Sequence, residues 1–464
     1  MLGFIQVIGA ISRQLAQKFG QALLSVPKAL IDCWLLMGLI MNLFFRSVFF
    51  APRVSLICVA LVSSNLTGVA LAGPPSPGTA SLSLQQAEAL ALTSDQGIEA
   101  AQHRRAADAH DAGAADQLPD PTVSVGLQNL PLDNFSMTRL PTTMVAVSLS
   151  QTLPPGDTLA QQALAADART AAATADITVK RQLLLREVRR FWLTVYRDEQ
   201  TVALLRNEQA LYRRLLSSAQ TSYSAGRARA TDLVRLQVKV AELDDQVEQK
   251  QGDASATRAR LARWIGDRAE AAWPADLPAG LRDAPQGAIN NQPELAVLRA
   301  QLGEARADIG VAKAAFKPQF GVEVGYGVNA GTMPNTGSIG ISMSLPIFSG
   351  ERQVPRLAAA QQRAAAQQLA LDDRAAQLHA EAQSLERDFT SLNQRIRGYD
   401  ERILPQLHQV SKLAQSQFGA GGGDFTAIID AEQALIQGQQ QRLDLTIDRA
   451  SRLIDLRYLL ENPA

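Results

Sequence analysis

The sequence predicts an α+β membrane protein in which long antiparallel coiled-coil helical hairpins carry four short strands per chain. Three observations predict it. Apolar residues recur in alternating steps of three and four through stretches of many turns, which a globular helix rarely sustains. Four short segments instead alternate strictly between apolar and small polar residues, the period of a two-faced strand. Both patterns occur twice, because the chain repeats itself: Tyr223-x-x-Gly226 precedes Phe418-x-x-Gly421 by 195 residues, and the same offset pairs Thr231 with Thr426 and Leu261 with Leu456.

In chain order, residues 1–72 read as a leader. Arg53 is followed by the apolar run Val54 to Val62, and Ala70-Leu71-Ala72 is the small-x-small pattern of a cleavage site before Gly73. A second apolar run, Cys33 to Phe45, is short for a membrane span, so a later start at Met37 or Met41 and a retained anchor are both open. Cys58 follows Ile57, where a lipoprotein signal needs a small residue. Both cysteines, Cys33 and Cys58, fall in this segment, which suits an exported protein without disulfides. Its removal takes five basic residues and one acid from the 45 of each, leaving 40 against 44. A near-neutral chain argues against a phosphate-tracking surface and hence against nucleic acid as partner.

The remainder divides at residue 283 into two repeats, 73–283 and 284–464, each reading helix, strand, strand, long helix, turn, long helix. Strands are expected at 122–129, 143–150, 321–328 and 338–345. Val123, Val125 and Leu127 oppose Thr122, Ser124, Gly126 and Gln128; Val322, Val324 and Tyr326 oppose Gly321, Glu323, Gly325 and Gly327. A face of Ser and Gly with one Glu is too small and polar for a sandwich core, and it suits the wet lumen of a membrane barrel. Four strands cannot close a ring alone, so two or three copies must share one, making eight or twelve strands. The seam of the first hairpin runs through Leu184, Val188, Phe191, Val195, Asp198, Val202, Leu205, Gln209, Tyr212, Leu216, Ala219 and Tyr223, and returns through Leu233, Leu236, Val240, Leu243, Val247, Lys250, Ala254, Thr257, Leu261 and Trp264. From about Leu159 to Thr221 there is neither Gly nor Pro, enough for a helix on the order of 90 Å. With aromatics at 5%, thick aromatic-centred cores are not expected.

At this point the pattern resembles the TolC family of outer-membrane efflux proteins over Leu82 to Leu460. The two glycine tips carry the resemblance, together with Leu345-Pro346-Ile347-Phe348-Ser349-Gly350 and Asn291-Gln292-Pro293-Glu294-Leu295. Leu118-Pro119-Asp120-Pro121, Asn129-Leu130-Pro131 and Phe135 to Arg139 look like its heavy-metal (cobalt-zinc-cadmium or copper-silver) branch. The resemblance implies a homotrimer with a twelve-stranded barrel in outer-membrane lipid and a periplasmic helical tunnel. It also implies a periplasmic adaptor (membrane fusion) protein and an inner-membrane proton-driven pump of the RND type as partners, with heavy-metal cations as cargo. Multidrug efflux, type I secretion, and a coiled-coil adaptor without a barrel are the competing readings. One departure is Asp95-Gln96-Gly97-Ile98-Glu99, where the first repeat should open with an Asn-Pro-Glu-like run.

Several residues acquire expected roles. Gly226, Arg227, Arg229, Gly421, Gly422 and Asp424 form the two tips: glycine tolerates the positive φ of a reversal, and the charges offer an adaptor one basic and one acidic rim. Asp430 matches the family's aspartate whose ring narrows the tunnel mouth, and Asp232 stands at a similar place in the first repeat. A solvated position on the flank of a coiled coil is the plainer account of both. Pro405 should bend a helix that continues through Ala210 in the first repeat. His103 and His110 lie two helical turns apart, too far to share an ion, so no metal site is expected. No nucleophile-base constellation and no cofactor motif appears, and catalysis is not expected.

Overall fold

The computed structural model describes residues 81–226, 229–282, 285, 287–419 and 425–460, all within one compact unit, Ser76–Ala464. The 1–72 leader, Arg227, Gly421, Gly422 and Asp424 lie outside the described residues. The elements run α1 (Leu84–Ser94), α2 (Gln96–Ala114), β1 (Thr122–Gln128), β2 (Met144–Leu153), α3 (Thr158–Ser224), α4 (Ala230–Ile265), α5 (Pro293–Ala314), β3 (Gln319–Asn329), β4 (Thr336–Ser344), α6 (Ser349–Gly398), a π turn (Tyr399–Ile403), α7 (Leu404–Gly419) and α8 (Phe425–Leu460).

Local chemistry sets the helix starts. Ser83 and Gln86 form a reciprocal capping box on α1. Asp95 accepts from the Ile98 amide at 2.9 Å and so caps α2, which is why the first repeat can dispense with the Asn-Pro-Glu opening. In the second repeat Gln292 caps α5 and Pro293 occupies its first turn, where a missing N–H costs nothing. Glu294 then accepts from Arg374 and from the Tyr458 hydroxyl, tying α5 to α6 and α8.

The strand-free run folds as α3, a single helix of 67 residues, about 100 Å long. Most of its heptad seam is buried, with Val202, Leu205, Tyr212 and Ala219 packed in one cluster with Leu236, Leu243 and Val247 of α4; Phe191, Gln209, Leu216, Leu233, Val240 and Lys250 are half-buried, and Tyr223 at the tip end is exposed. The aromatic expectation needs correction. Trp192, Trp264 and Trp273 gather where α1, α3, α4 and the segment after α4 meet, with Trp192 stacked on Tyr196 at 5.6 Å. Each indole finds an acceptor: Trp192 donates to the Leu82 carbonyl, Trp264 to Asp95 and Trp273 to the Trp192 carbonyl. The described tryptophans are thus gathered in one belt, while Tyr212, Tyr399 and Tyr458 serve separate clusters along the helices.

Two layers of helices stand below one sheet. Nearer the sheet the packing order is α2, α3, α5, α6; nearer the tips it is α4, α3, α8, α7. The sheet is antiparallel in sequential order β1-β2-β3-β4. Every layer is therefore an open arc with a first-repeat element at one edge and a second-repeat element at the other.

Candidate functional site

The strand register separates two chemistries. Val123, Leu149, Val324 and Ile339 lie side by side across all four strands, and Ser124, Ser148, Gly325 and Ser338 form the adjacent row on the opposite face. Strands β1 and β4 are exposed on both faces, and on the central strands β2 and β3 the apolar face is the more open one. Val324 is 53% and Ile341 78% exposed, whereas Gly327, on the polar face, is buried. The polar face is also the crowded one: a Cβ on Gly325 would stand 2.4 Å from Ser338 Oγ, and one on Gly321 2.5 Å from Ser342 Oγ. Glycine permits that closeness of neighbouring strands. Glu323 stands on that polar face, opposite Ser150 and Gly340. Strands β1 and β4 leave both edges unpaired among the described residues.

At the first tip Gly226 has φ +69°, the left-handed conformation its position was expected to need. Arg229 is the N-cap residue of α4 and reaches Asp232 at 3.4 Å. Here Asp232 departs from its expected role. It is 5% exposed within a single protomer, in the first turn of α4, where a carboxylate offsets the positive end of the helix. A side chain already covered cannot present an open ring of charge to a channel. Asp430, on α8, is exposed.

Above the tips lies a polar cluster that sequence reasoning missed. Glu432 of α8 is buried and accepts from Ser411 Oγ and Gln415 Nε2 of α7, both at 2.5 Å. Glu208 of α3 is buried beside it, and desolvation pushes its carboxyl up to about 7, with Glu432 adding to the rise and Lys239 of α4 opposing it. Tyr212 donates to the Ile429 carbonyl at 3.2 Å, and burial drives its hydroxyl pKa upward. The only sequence signal was a glutamate beside a heptad seam, which is ordinarily solvated.

Pro405 is the second residue after the π turn Tyr399–Ile403, with Leu404 between them. Proline has no N–H and its ring collides with the carbonyl four residues back, so the preceding turn widens to five-residue spacing. Ala210 continues α3 without interruption. His103, His110, His379 and His408 are all exposed. Among the described residues no cluster of three or more His, Cys, Asp or Glu could hold a metal ion, and no helix is long and apolar enough to cross a membrane.

Comparison with known proteins adds to this geometry. Residues 284–462 match the family described as Outer membrane efflux protein. The chain is 26% identical over 279 residues to the pyoverdine export outer membrane protein OpmQ of Pseudomonas aeruginosa, covering 56% of this chain and 57% of that one. It is 23% identical over 294 residues to the alkaline protease secretion protein AprF of the same organism, covering 60% and 61%. The chain thus spans less than two thirds of the length of these relatives. A crystal structure of the transmembrane channel CusC superposes with TM-score 0.71 at 17% identity over 82% of this chain and 92% of that one.

Proposed function

We infer from this fold and these likenesses that the chain is an outer-membrane efflux channel of the TolC type. It is a transport protein of the cell outer membrane, with its helices on the periplasmic side. The observation that carries the reading is the sheet: an apolar face left open to its surroundings, an opposite face of Ser and Gly, and two edges unpaired among the described residues. Open edges are intolerable in lipid, so copies must pool their strands, and three copies make a twelve-stranded barrel with a Ser- and Gly-lined lumen. The helices then continue the lumen into the periplasm.

In this reading the channel is the outer part of a tripartite system, fed by an inner-membrane RND pump through a periplasmic adaptor. The tips, Gly226, Arg227, Arg229, Gly421, Gly422 and Asp424, are its docking surface. Asp430, exposed near the second tip, supplies three carboxylates around the axis that favour cations and repel one another. The π turn ahead of Pro405 lets the second hairpin lean toward that axis. The motifs Leu118 to Pro121 and Phe135 to Arg139 favour heavy-metal cations as cargo. The relatives named above serve pyoverdine export and protease secretion, so organic cargo is the second reading.

The decisive experiment places Arg at Val324 or Ile341. A charge on a lipid-facing strand costs about 2–4 kcal/mol per copy near mid-membrane. Both variants should vanish from the outer-membrane fraction while wild type is recovered there as a heat-sensitive trimer. Normal insertion of both variants refutes the barrel. Deletion of the gene, scored against zinc, cadmium, cobalt, copper and organic toxicants, separates the two cargo readings.

A further inference from the structure

We propose that Glu323 sets the charge preference of the barrel: its carboxylate, repeated once per copy around the lumen, admits cations and turns back anions. The proposal rests on the shared-barrel reading and deepens it, naming the strand residue that selects cargo by charge.

Placement singles this residue out. Glu323 is the only charged residue in β1 to β4. It stands on the face of Ser and Gly, in a row that runs Thr122, Ser150, Glu323 and Gly340 across the four strands. Its surroundings on that face are bare: Gly321 and Gly325 precede and follow it on β3, and Gly340 lies opposite on β4, where even an added Cβ would stand 3.9 Å from the Glu323 Cβ. Nearby hydroxyls are directed elsewhere, Ser150 donating to the Thr122 carbonyl and Ser342 to the Gly321 carbonyl. Glu323 is exposed, and among the described residues its carboxylate has no hydrogen-bond or ion-pair partner. Packing gives no reason for an acid here.

Nor is its charge cancelled locally. The cations closest to the strands in sequence are already matched: Lys317, ahead of β3, reaches Asp157 at 3.0 Å, and Arg139, in the loop before β2, reaches Asp133 at 2.5 Å. Three copies then set three like charges at one level of a water-filled bore whose walls are backed by lipid. Low-dielectric walls focus such a field along the bore, and a screening length of about 8 Å at physiological salt lets each carboxylate act beyond its own strand. A ring of this kind concentrates cations and excludes anions. It is separate from Asp430, which lies on α8 near the second tip, so its effect has to be read inside the barrel.

The test does so with the full chain in outer membranes. S150C places a thiol in the row of Glu323, and its rates of modification by a cationic trimethylammonium and an anionic sulfonate methanethiosulfonate are compared. The cation-to-anion rate ratio should be roughly ten-fold higher in S150C than in S150C/E323Q at about 0.15 M salt. In 1 M salt, where the screening length falls to about 3 Å, most of that difference should vanish. Wild type, carrying Cys33 and Cys58, sets the background. Both variants should be recovered as heat-sensitive trimers, since neither substitution touches the lipid-facing side. Equal ratios in the two variants at the lower salt overturn the charge filter and leave the channel reading intact. A thiol at position 150 that neither reagent reaches in the inserted trimer takes the polar face out of the lumen and overturns both.

Discussion

The two helical hairpins descend from one repeated pattern, yet they are built for different duties. In the first, α3 runs unbroken for 67 residues, its midsection clamped by the tryptophan belt and its partner helix anchored by a buried Asp232. In the second, the corresponding helix is interrupted by a π turn, its apolar clusters are smaller, and its aspartate near the tip faces solvent. The contrast teaches that a repeat need not be redundant. One copy is a strut, and the other keeps a weak point where its helix can change course.

The largest test of this contrast removes the strut's anchor. Trp192→Ala deletes a fully buried ring and the indole bond to the Leu82 carbonyl, so it should cost about 3–5 kcal/mol. Leu392→Ala, in the small cluster of the second hairpin, should cost about 2 kcal/mol. Urea unfolding of the detergent-solubilised protein, followed by helical ellipticity, compares them. Equal losses would mean the hairpins share one stability.

Exchanging the proline should come next. Ala210→Pro puts into α3 the break that the second hairpin has evolved around, with no π turn to absorb it, and should cost about 3 kcal/mol. Pro405→Ala should stabilise by about 1 kcal/mol, because the backbone regains a hydrogen bond. If both substitutions destabilise alike, the π turn is not an accommodation to proline.

Protonation sharpens the comparison at the line where the hairpins meet. Glu208 titrates at about 7 when folded against 4.5 for the free side chain, so the folded form holds its proton more tightly. Stability from this site is therefore full below pH 4.5 and is lost as pH rises through about 7, a change of roughly 3 kcal/mol. The facing charges are Lys239 on α4 and Glu432 on α8, so the loss falls on the contact between α3 and α8. Glu208→Gln should flatten the dependence, measured as the difference in urea midpoint between pH 5 and pH 8. An unchanged slope would remove Glu208 from this role.

How much of this was legible follows from the range of each interaction. Alternation in Val123 to Leu127 or Val322 to Tyr326 is local, and it disclosed both faces of the sheet. The heptads from Leu184 to Ala219 likewise gave the coiled coil, because every turn repeats the same choice. The tryptophan belt was hidden, since Trp192, Trp264 and Trp273 come from separate segments and only tertiary packing unites them. Glu208 and Glu432 were hidden for the same reason, being more than two hundred residues apart. The π turn was half visible: Pro405 announced a disturbance, but which turn would widen depends on the backbone that precedes it. Asp232 misled because nearness to a tip is not equivalence in the repeat: at the 195-residue offset it answers to Ala427, while Asp430 answers to Arg235, and Arg229 closes over Asp232.

That last difference gives the smallest stability effect and the sharpest functional one. Asp232→Ala removes a carboxylate from the first turn of α4 and its contact with Arg229, a loss of about 1 kcal/mol. Because the side chain is covered within each protomer, single-channel conductance and cation preference should not move. Asp430→Ala removes an exposed carboxylate, so stability should stay within about 0.5 kcal/mol. If Asp430 rings the axis, its removal should raise conductance or abolish block by divalent cations in planar bilayers. The pair of variants is informative because each controls the other: one perturbs the fold near a tip without touching the lumen, and the other does the reverse. Identical recordings from Asp430→Ala and wild type would retire the gate, while a conductance change in Asp232→Ala would show that the strut also moves.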